Sequence, residues 1–399
     1  MLKLGEKIIS DIYLGDKKIA KVFLGDKLVY QASKPIFLEY LITDGNSYID
    51  TEYCPNENTV IEYTWETIEA PTASYNGLFG SRVATSNEEY HVFLQNGLSL
   101  RLDFGRYAEP TVYYKTTLNT KYTMKAGLGE IYINGELVKS YTPKQGQTKN
   151  SMFLGNFNNN GTPYTTGVKQ KIYPCPIYEN GVLVRDFKPC IAPNGQVGMY
   201  DEVNKKYHYN AGTGELKKGG RFVKSIIFDG ASWIDTGIAH QTCDVECTIR
   251  FIEDGTRQLM GFGSSTAQYW GKPANNVALE GLSGTDVTDK TDVLVKFNTD
   301  DPTAVTLIRS ADDRTSNVST GSRVAITTYI IGGIISSATA TTASYPCTCE
   351  IWGNKFTANS VAIQDLRPYV DENGTACFKD VVTGNLFYNQ GTGTLEYTE

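Results

Sequence analysis

Several kinds of side chain in this sequence could do chemistry, and their spacing says which. Eight cysteines stand at positions 54, 175, 190, 243, 247, 347, 349 and 377. Cys243 with Cys247 and Cys347 with Cys349 could together offer four thiolates to a metal ion, although no Cys-x-x-Cys pair occurs. Residues two or four apart on a strand share a face, and a free thiol packs as a small apolar group. Buried thiols are therefore expected, ahead of disulfides or a metal site. Histidine occurs only at 91, 208 and 240, in no metal-ligand or nucleophile spacing, and His208 is expected in a terminal hairpin. No Gly-x-Ser-x-Gly or phosphate loop is present. Glycoside hydrolysis on a β-sandwich would call for closely placed carboxylates, as in Glu-x-Asp-x-Glu, so that acid and nucleophile share a face. That string is absent. The expectation is a non-enzyme with no catalytic residue, metal or cofactor.

The remaining candidates are aromatic. The chain holds 26 tyrosines, and flat rings in long loops meet the apolar faces of sugars or protein partners equally well. Tyr75, Tyr90, Tyr107 and Tyr164 in the first half, with Tyr269 and Trp270 in the second, are the candidate ligand contacts. A formal charge of −7 without a dense Lys/Arg run gives phosphate backbones no footing, so nucleic acid is not an expected partner. Charge and glycine interrupt the first residues before an apolar leader forms, and the longest apolar stretch, around Tyr329 to Ile335, is short of a membrane span. Neither secretion by a leader nor membrane insertion is expected.

The elements that must position these residues read as strands. Gly (38), Tyr and β-branched residues dominate, and no capped amphipathic helix appears. The first thirty residues repeat every ten: Leu4-Gly5-Glu6-Lys7, Leu14-Gly15-Asp16-Lys17, Leu24-Gly25-Asp26-Lys27. Gly before an acid suits a two-residue hairpin turn, so residues 1–33 read as an up-and-down β-meander. Such a ribbon has open edges and little apolar face, so it needs a partner. Leu4, Gly5, Leu14, Gly15, Asp16, Leu24, Gly25 and Asp26 are the candidate attachment and oligomerisation residues.

The rest of the chain is written twice. Asp44-Gly45-Asn46-Ser47-Tyr48-Ile49-Asp50-Thr51 returns as Asp229-Gly230-Ala231-Ser232-Trp233-Ile234-Asp235-Thr236, 185 residues on. Phe79-Gly80-Ser81 matches Phe262-Gly263-Ser264 at 183, and Asp186-Phe187-Lys188-Pro189 matches Asp365-Leu366-Arg367-Pro368 at 179. Tyr209-Asn210-Ala211-Gly212-Thr213-Gly214 matches Tyr388-Asn389-Gln390-Gly391-Thr392-Gly393, also at 179. One order with a slowly drifting offset predicts one fold present twice: a β-sandwich over 34–218 and its duplicate over 221–399. Residues shared by both copies are expected to serve the fold: Tyr48 and Trp233 in the core, Asp50 and Asp235 as strand-end acceptors, Gly212, Gly214, Gly391 and Gly393 at positive-φ turns.

Glu130-Ile131-Tyr132-Ile133-Asn134-Gly135-Glu136-Leu137-Val138, an Asn-Gly hairpin, precedes Met152-Phe153-Leu154-Gly155. These residues resemble the concanavalin A-like or laminin-G-like superfamily, which implies tandem antiparallel jelly-roll sandwiches. The second half lacks that hairpin and keeps only Tyr329-Ile330-Ile331-Gly332-Gly333. The terminal block together with the Ser47-Tyr48-Ile49-Asp50-Thr51 opening resembles lectin-like modules of phage structural proteins. The Tyr13-Leu14-Gly15-Asp16-Lys17 leader resembles leaders on virion proteins of gut, crAss-like bacteriophages. The resemblance implies a head (capsid) fibre or decoration protein of a tailed phage, assembled in the bacterial cytoplasm and homo-oligomeric, as a trimer. Its partners would be capsid or other virion proteins and host-surface glycans. A tail fibre or receptor-binding protein, or a bacterial surface lectin, is the alternative.

Overall fold

The structure is a computed structural model. It describes residues 3–4, 7–8, 13–14, 17–18, 21–24, 27–31, 34–83, 88–105, 112–143, 148–239, 243–252, 257–261, 269–272, 276–279, 282–286, 293–298, 305–309, 315–318, 328–332 and 348–399. Every regular element among them is a strand. The chain divides into two compact units, Met1–Gly219 and Gly220–Glu399.

At the N-terminus Lys3–Leu4 pairs with Lys7–Ile8, Tyr13–Leu14 with Lys17–Lys18, and Lys21–Leu24 with Lys27–Gln31. Leu4, Leu14 and Leu24 each stand opposite a lysine across a two-residue loop. Gly5, Gly15, Asp16, Gly25 and Asp26 lie outside the described residues. Among the described residues the three ladders are separate two-stranded sheets, and no pairing joins one hairpin to the next.

In the first unit, Thr59–Thr67 lies at the centre of a 12-stranded sheet between Lys121–Gly127 on one side and Lys169–Ile172 and Cys175–Glu179 on the other. Its residues alternate between buried and half-buried along all nine positions, as a strand with one face on a core must. The facing eight-stranded sheet runs in the order Val112–Lys115, Ser99–Gly105, Glu88–Gln95, Tyr75–Val83, Phe153–Leu154, Ile49–Asp50. Tyr63 and Trp65 from one sheet and Phe79 and Leu94 from the other share a single core, with the Tyr63 and Phe79 rings 4.3 Å apart. Fully burying side chains of this size stabilises by roughly 1.5–3 kcal/mol each. Asn134-Gly135 and Asn180-Gly181 close hairpins with positive φ at both loop positions (51° and 84°, 51° and 75°), the backbone that a type I′ turn demands.

The second unit repeats the plan. Asp244–Phe251 is central in an 11-stranded sheet, and Ile234–Ala239, Thr328–Ile331, Arg257–Gly261, Tyr269–Lys272, Asn276–Leu279 and Leu282–Asp286 form the second sheet in that order. Where the first unit has two short strands, Lys169–Ile172 and Cys175–Glu179, the second has one, Thr348–Ala358. Pro174 accounts for the interruption, because it has no N–H to give the ladder.

The matched sequence blocks make matched bonds. Asn210 Oδ1 accepts from Tyr48 N at 3.2 Å, and its Nδ2 donates to Gly214 O at 2.6 Å. Asn389 does the same with Trp233 N at 3.0 Å and Gly393 O at 2.6 Å. Asp44 accepts from Asn46, Ser47 and Glu215 N–H, and Asp229 from Ala231 and Thr394 N–H. Asp50 Oδ1 accepts from Glu52 N, and Asp235 Oδ1 from Gly237 N, both at 2.9 Å. Tyr48 and Trp233 are buried. The glycines need a different explanation from the one expected, since none of Gly212, Gly214, Gly391 and Gly393 has a positive φ. Close approach selects them. A Cβ on Gly214 would sit 2.2 Å from the Asp44 carboxylate, and one on Gly393 2.1 Å from that of Asp229.

The thiols are buried at Cys175, Cys190, Cys243, Cys247, Cys349 and Cys377 and half-buried at Cys54, and none of the seven is in a disulfide; Cys347 lies outside the described residues. Burial pushes the Cys190 and Cys377 thiols up to about 12, which keeps them protonated.

Candidate functional site

The candidate site lies on the outer face of the first unit's second sheet. Strand alternation sends Tyr90, Val92 and Leu94, with Leu100, Leu102 and Phe104, into the core. It therefore sends Glu89, His91, Phe93 and Gln95, with Arg101 and Asp103, to the opposite face.

Ladder register lays that face out in rows. Asn159, Arg82 and Glu89 stand side by side; then Phe157, Gly80, His91 and Asp103; then Gly77, Phe93 and Arg101; then Tyr75, Gln95 and Ser99. A solvated sheet face would leave these residues exposed. Here Glu89, His91, Phe93 and Phe157 are all buried, because the segment Phe157 to Tyr164 folds back over the strands. Phe157–Asn159 runs parallel to Tyr75–Val83 and pairs with it. Gly77 makes room for the segment, since a Cβ there would meet Asn156 Oδ1 at 2.2 Å and the Phe157 ring at 3.0 Å. Tyr164 stacks on Phe157 with centroids 4.6 Å apart. Asn156 Nδ2 donates to Tyr164 O, and Thr166 Oγ1 to Tyr75 O, which ties the segment to the strand.

Between them these groups enclose a cleft of roughly 200 Å³ lined by Tyr75, Arg82, Glu89, Phe93, Arg101, Asp103, Phe157 and Tyr164. That is below the roughly 300–1,000 Å³ of clefts that bury drug-sized molecules, so it suits one ring-sized group.

The electrostatics are set by burial. His91 lies flat among rings, 5.5 Å from Phe93 and 4.5 Å from Phe157. Burial, followed by the nearby Arg82 and Arg101 guanidinium groups, holds its pKa down to about 3. It is thus neutral at pH 7, and its 3.6 Å approach to Asp103 is not an ion pair there. Arg101 Nε donates to Asp103 Oδ1 at 3.2 Å, with the guanidinium 5.2 Å above the Phe93 ring. Burial raises the Asp103 pKa although Arg101 pulls the other way. Arg82 Nε, Gln95 Oε1, Asn159 Oδ1 and both His91 nitrogens are buried with no hydrogen-bond partner among the described residues. The cleft thus sets aromatic walls beside the charged groups of Arg82, Glu89, Arg101 and Asp103.

Two carboxylates, Glu89 and Asp103, reach the cleft from neighbouring strands, a pairing invisible as a string along one strand. Asp103 is ion-paired with Arg101.

Of the six aromatic candidates, Tyr75 and Tyr164 line the cleft. Tyr90 does not, and this corrects its expected place: it is 6% exposed, turned into the core with its ring edge on Phe104. The residue before His91 in a strand must face the other way. Tyr107 lies outside the described residues. Tyr269 and Trp270 lie on Tyr269–Lys272 in the second unit. Sequence reasoning missed Phe93, Phe157, Arg82, Arg101, Glu89 and Asp103. The one available signal was the charged and aromatic residues at alternate positions of 89–95 and 101–103, where a half-exposed strand would carry small polar ones.

No family model matches the chain, and no curated protein matches it. Among solved structures it is similar to domains LG4-5 of the mouse laminin alpha1 chain, at 11% identity and a TM-score of 0.29 over 83% of this chain and 93% of that one. It is also similar to the LG1-3 region of the laminin alpha2 chain, at 10% identity and a TM-score of 0.29 over 88% and 66%. At those scores the likeness adds no weight to the tandem β-sandwich architecture, which rests on the strand order and the shared cores.

Proposed function

We propose that this chain is a non-enzymatic structural protein of a tailed-phage virion, a head fibre or decoration protein, whose first sandwich holds a sugar ring of a host-surface glycan. The cleft carries the glycan part. Tyr75, Phe93, Phe157 and Tyr164 offer flat apolar walls, and Arg82, Glu89, Arg101 and Asp103 set charged groups among them that suit a ligand rich in hydroxyls. The virion part rests on the leader and terminal blocks, whose residues resemble those of phage structural proteins. Head is preferred to tail because the described residues form two sandwiches and include no coiled-coil or β-helical shaft.

The test is glycan-array binding by the full-length chain, with immunogold labelling of intact particles. The expected result is retention of a defined glycan set that Tyr164→Ala weakens at least tenfold, about 1.4 kcal/mol, with an unchanged melting temperature. Labels should decorate the capsid. An array with no retained glycan, or unchanged binding by Tyr164→Ala, would sink the glycan part, and unlabelled particles the virion part. Hydrolysis of a retained glycan that Glu89→Gln abolishes would overturn the non-enzymatic reading.

A further inference from the structure

The two units can be aligned without side chains, from ladder register alone. In the first, Ile49, Leu154, Phe79, Val92 and Leu102 form one row across five strands. In the second the corresponding row is Ile234, Ile331, Met260, Trp270 and Leu279. Ile49 and Ile234 anchor the match, being the same residue of the duplicated block. A bulge falls at the same step in both, between Gly77 and Phe79 and between Gln258 and Met260. Register therefore equates Phe79-Gly80 with Met260-Gly261. The sequence match to Phe262-Gly263, whose residues lie outside those described, is two positions out.

One residue along the row, the cleft residues meet their counterparts. Phe93 pairs with Arg101, and the corresponding pair in the second unit is Gly271 with Ala278. By register the residue matching Phe93 is a glycine in the second copy, and the one matching Arg101 an alanine. His91 corresponds to Tyr269, and Val92, a core residue, to Trp270. The first unit's ladder also continues through Asp103 to a pairing of Gly105 with Glu89. In the second unit the strand turns back at Leu279, which pairs with Leu282.

We infer that saccharide binding is confined to the first unit, at one site per chain, and that Phe93 and Arg101 are the residues separating the binding copy from its duplicate. This rests on the reading of the cleft as a sugar site. The second sandwich is a spacer or packing module, and Tyr269 and Trp270 take no part in ligand contact.

The experiment uses the full-length chain labelled with 3-fluorotyrosine, titrated with the methyl pyranosides of glucose, galactose, mannose, N-acetylglucosamine and glucuronic acid. Tyr164→Phe and Tyr269→Phe assign the two fluorine signals that matter. The Tyr164 signal should move and saturate with at least one sugar while the Tyr269 signal stays fixed. Arg101→Ala should weaken that titration at least tenfold, and its circular dichroism spectrum at the titration temperature should match the wild type's, which shows that the loss is not unfolding. Movement of the Tyr269 signal, or an unchanged affinity in Arg101→Ala, would overturn the inference while leaving the sugar site standing. If no tyrosine signal responds to any of the five, the sugar reading fails and the inference falls with it.

Discussion

His91 shows how far a residue's character depends on what covers it. A histidine on the outer face of a sheet would titrate near pH 6.5, but under Phe157 it is fully buried and stays neutral down to about 3. The unfolded chain takes up that proton near 6.5, and the folded chain does not. Acid therefore favours unfolding throughout the window from 6.5 to 3, and stability rises with pH across it. Urea unfolding at pH 7 and pH 5 should show the wild type losing about 2 kcal/mol more than His91→Phe; equal losses would mean that His91 is not sealed. Asp44, Asp201 and Asp229 act lower on the scale. Burial raises each pKa, but the bonds donated by backbone N–H groups and neighbouring side chains more than offset it, and the net shift is downward. Their stabilisation is complete above the ordinary aspartate range and is lost only as pH falls through the depressed values. None of this was legible in residue type, since it depends on the Phe157 segment and on turn geometry.

At the scale of elements, each sandwich is closed by a contact between its two ends in sequence. The terminal Asn-x-Gly-x-Gly turn is clasped by Asp44 and Asn210 in one copy and by Asp229 and Asn389 in the other. Gly214→Ala should cost about 1–3 kcal/mol as an overpacked contact, because its Cβ has nowhere to go but into the Asp44 carboxylate. The denaturant midpoint measures this, and an unchanged midpoint would show that the turn relaxes freely. The duplicated motif was readable in the sequence, but the reason for its glycines was not. A glycine chosen for positive φ and one chosen for lack of a Cβ look identical in a string of letters, and only the packed neighbour tells them apart. Likewise the period-two pattern of Thr59 to Trp65 announces a strand, while the break before Cys175 follows from Pro174.

At the scale of the whole molecule, the three N-terminal hairpins are each too small to be stable alone. If they gain stability from copies of themselves, deleting residues 1–33 should convert a trimer to a monomer in sedimentation velocity and abolish incorporation into particles. A trimeric deletion variant would place assembly in the sandwiches. What the sequence determined by itself was local or repetitive: strands from alternation, hairpins from Asn-Gly and Gly-acid pairs, and one fold written twice. The tertiary structure decided which residues meet. The cleft draws Tyr75, Arg82, Glu89, Phe93, Arg101, Asp103, Phe157 and Tyr164 from four segments. Their proximity comes from cross-strand register and one segment folding back over a sheet, neither of which has a local signature. Of the aromatic residues singled out as loop-borne rings, Tyr75 and Tyr164 reach the cleft and Tyr90 enters the core, because one step along a strand reverses the face.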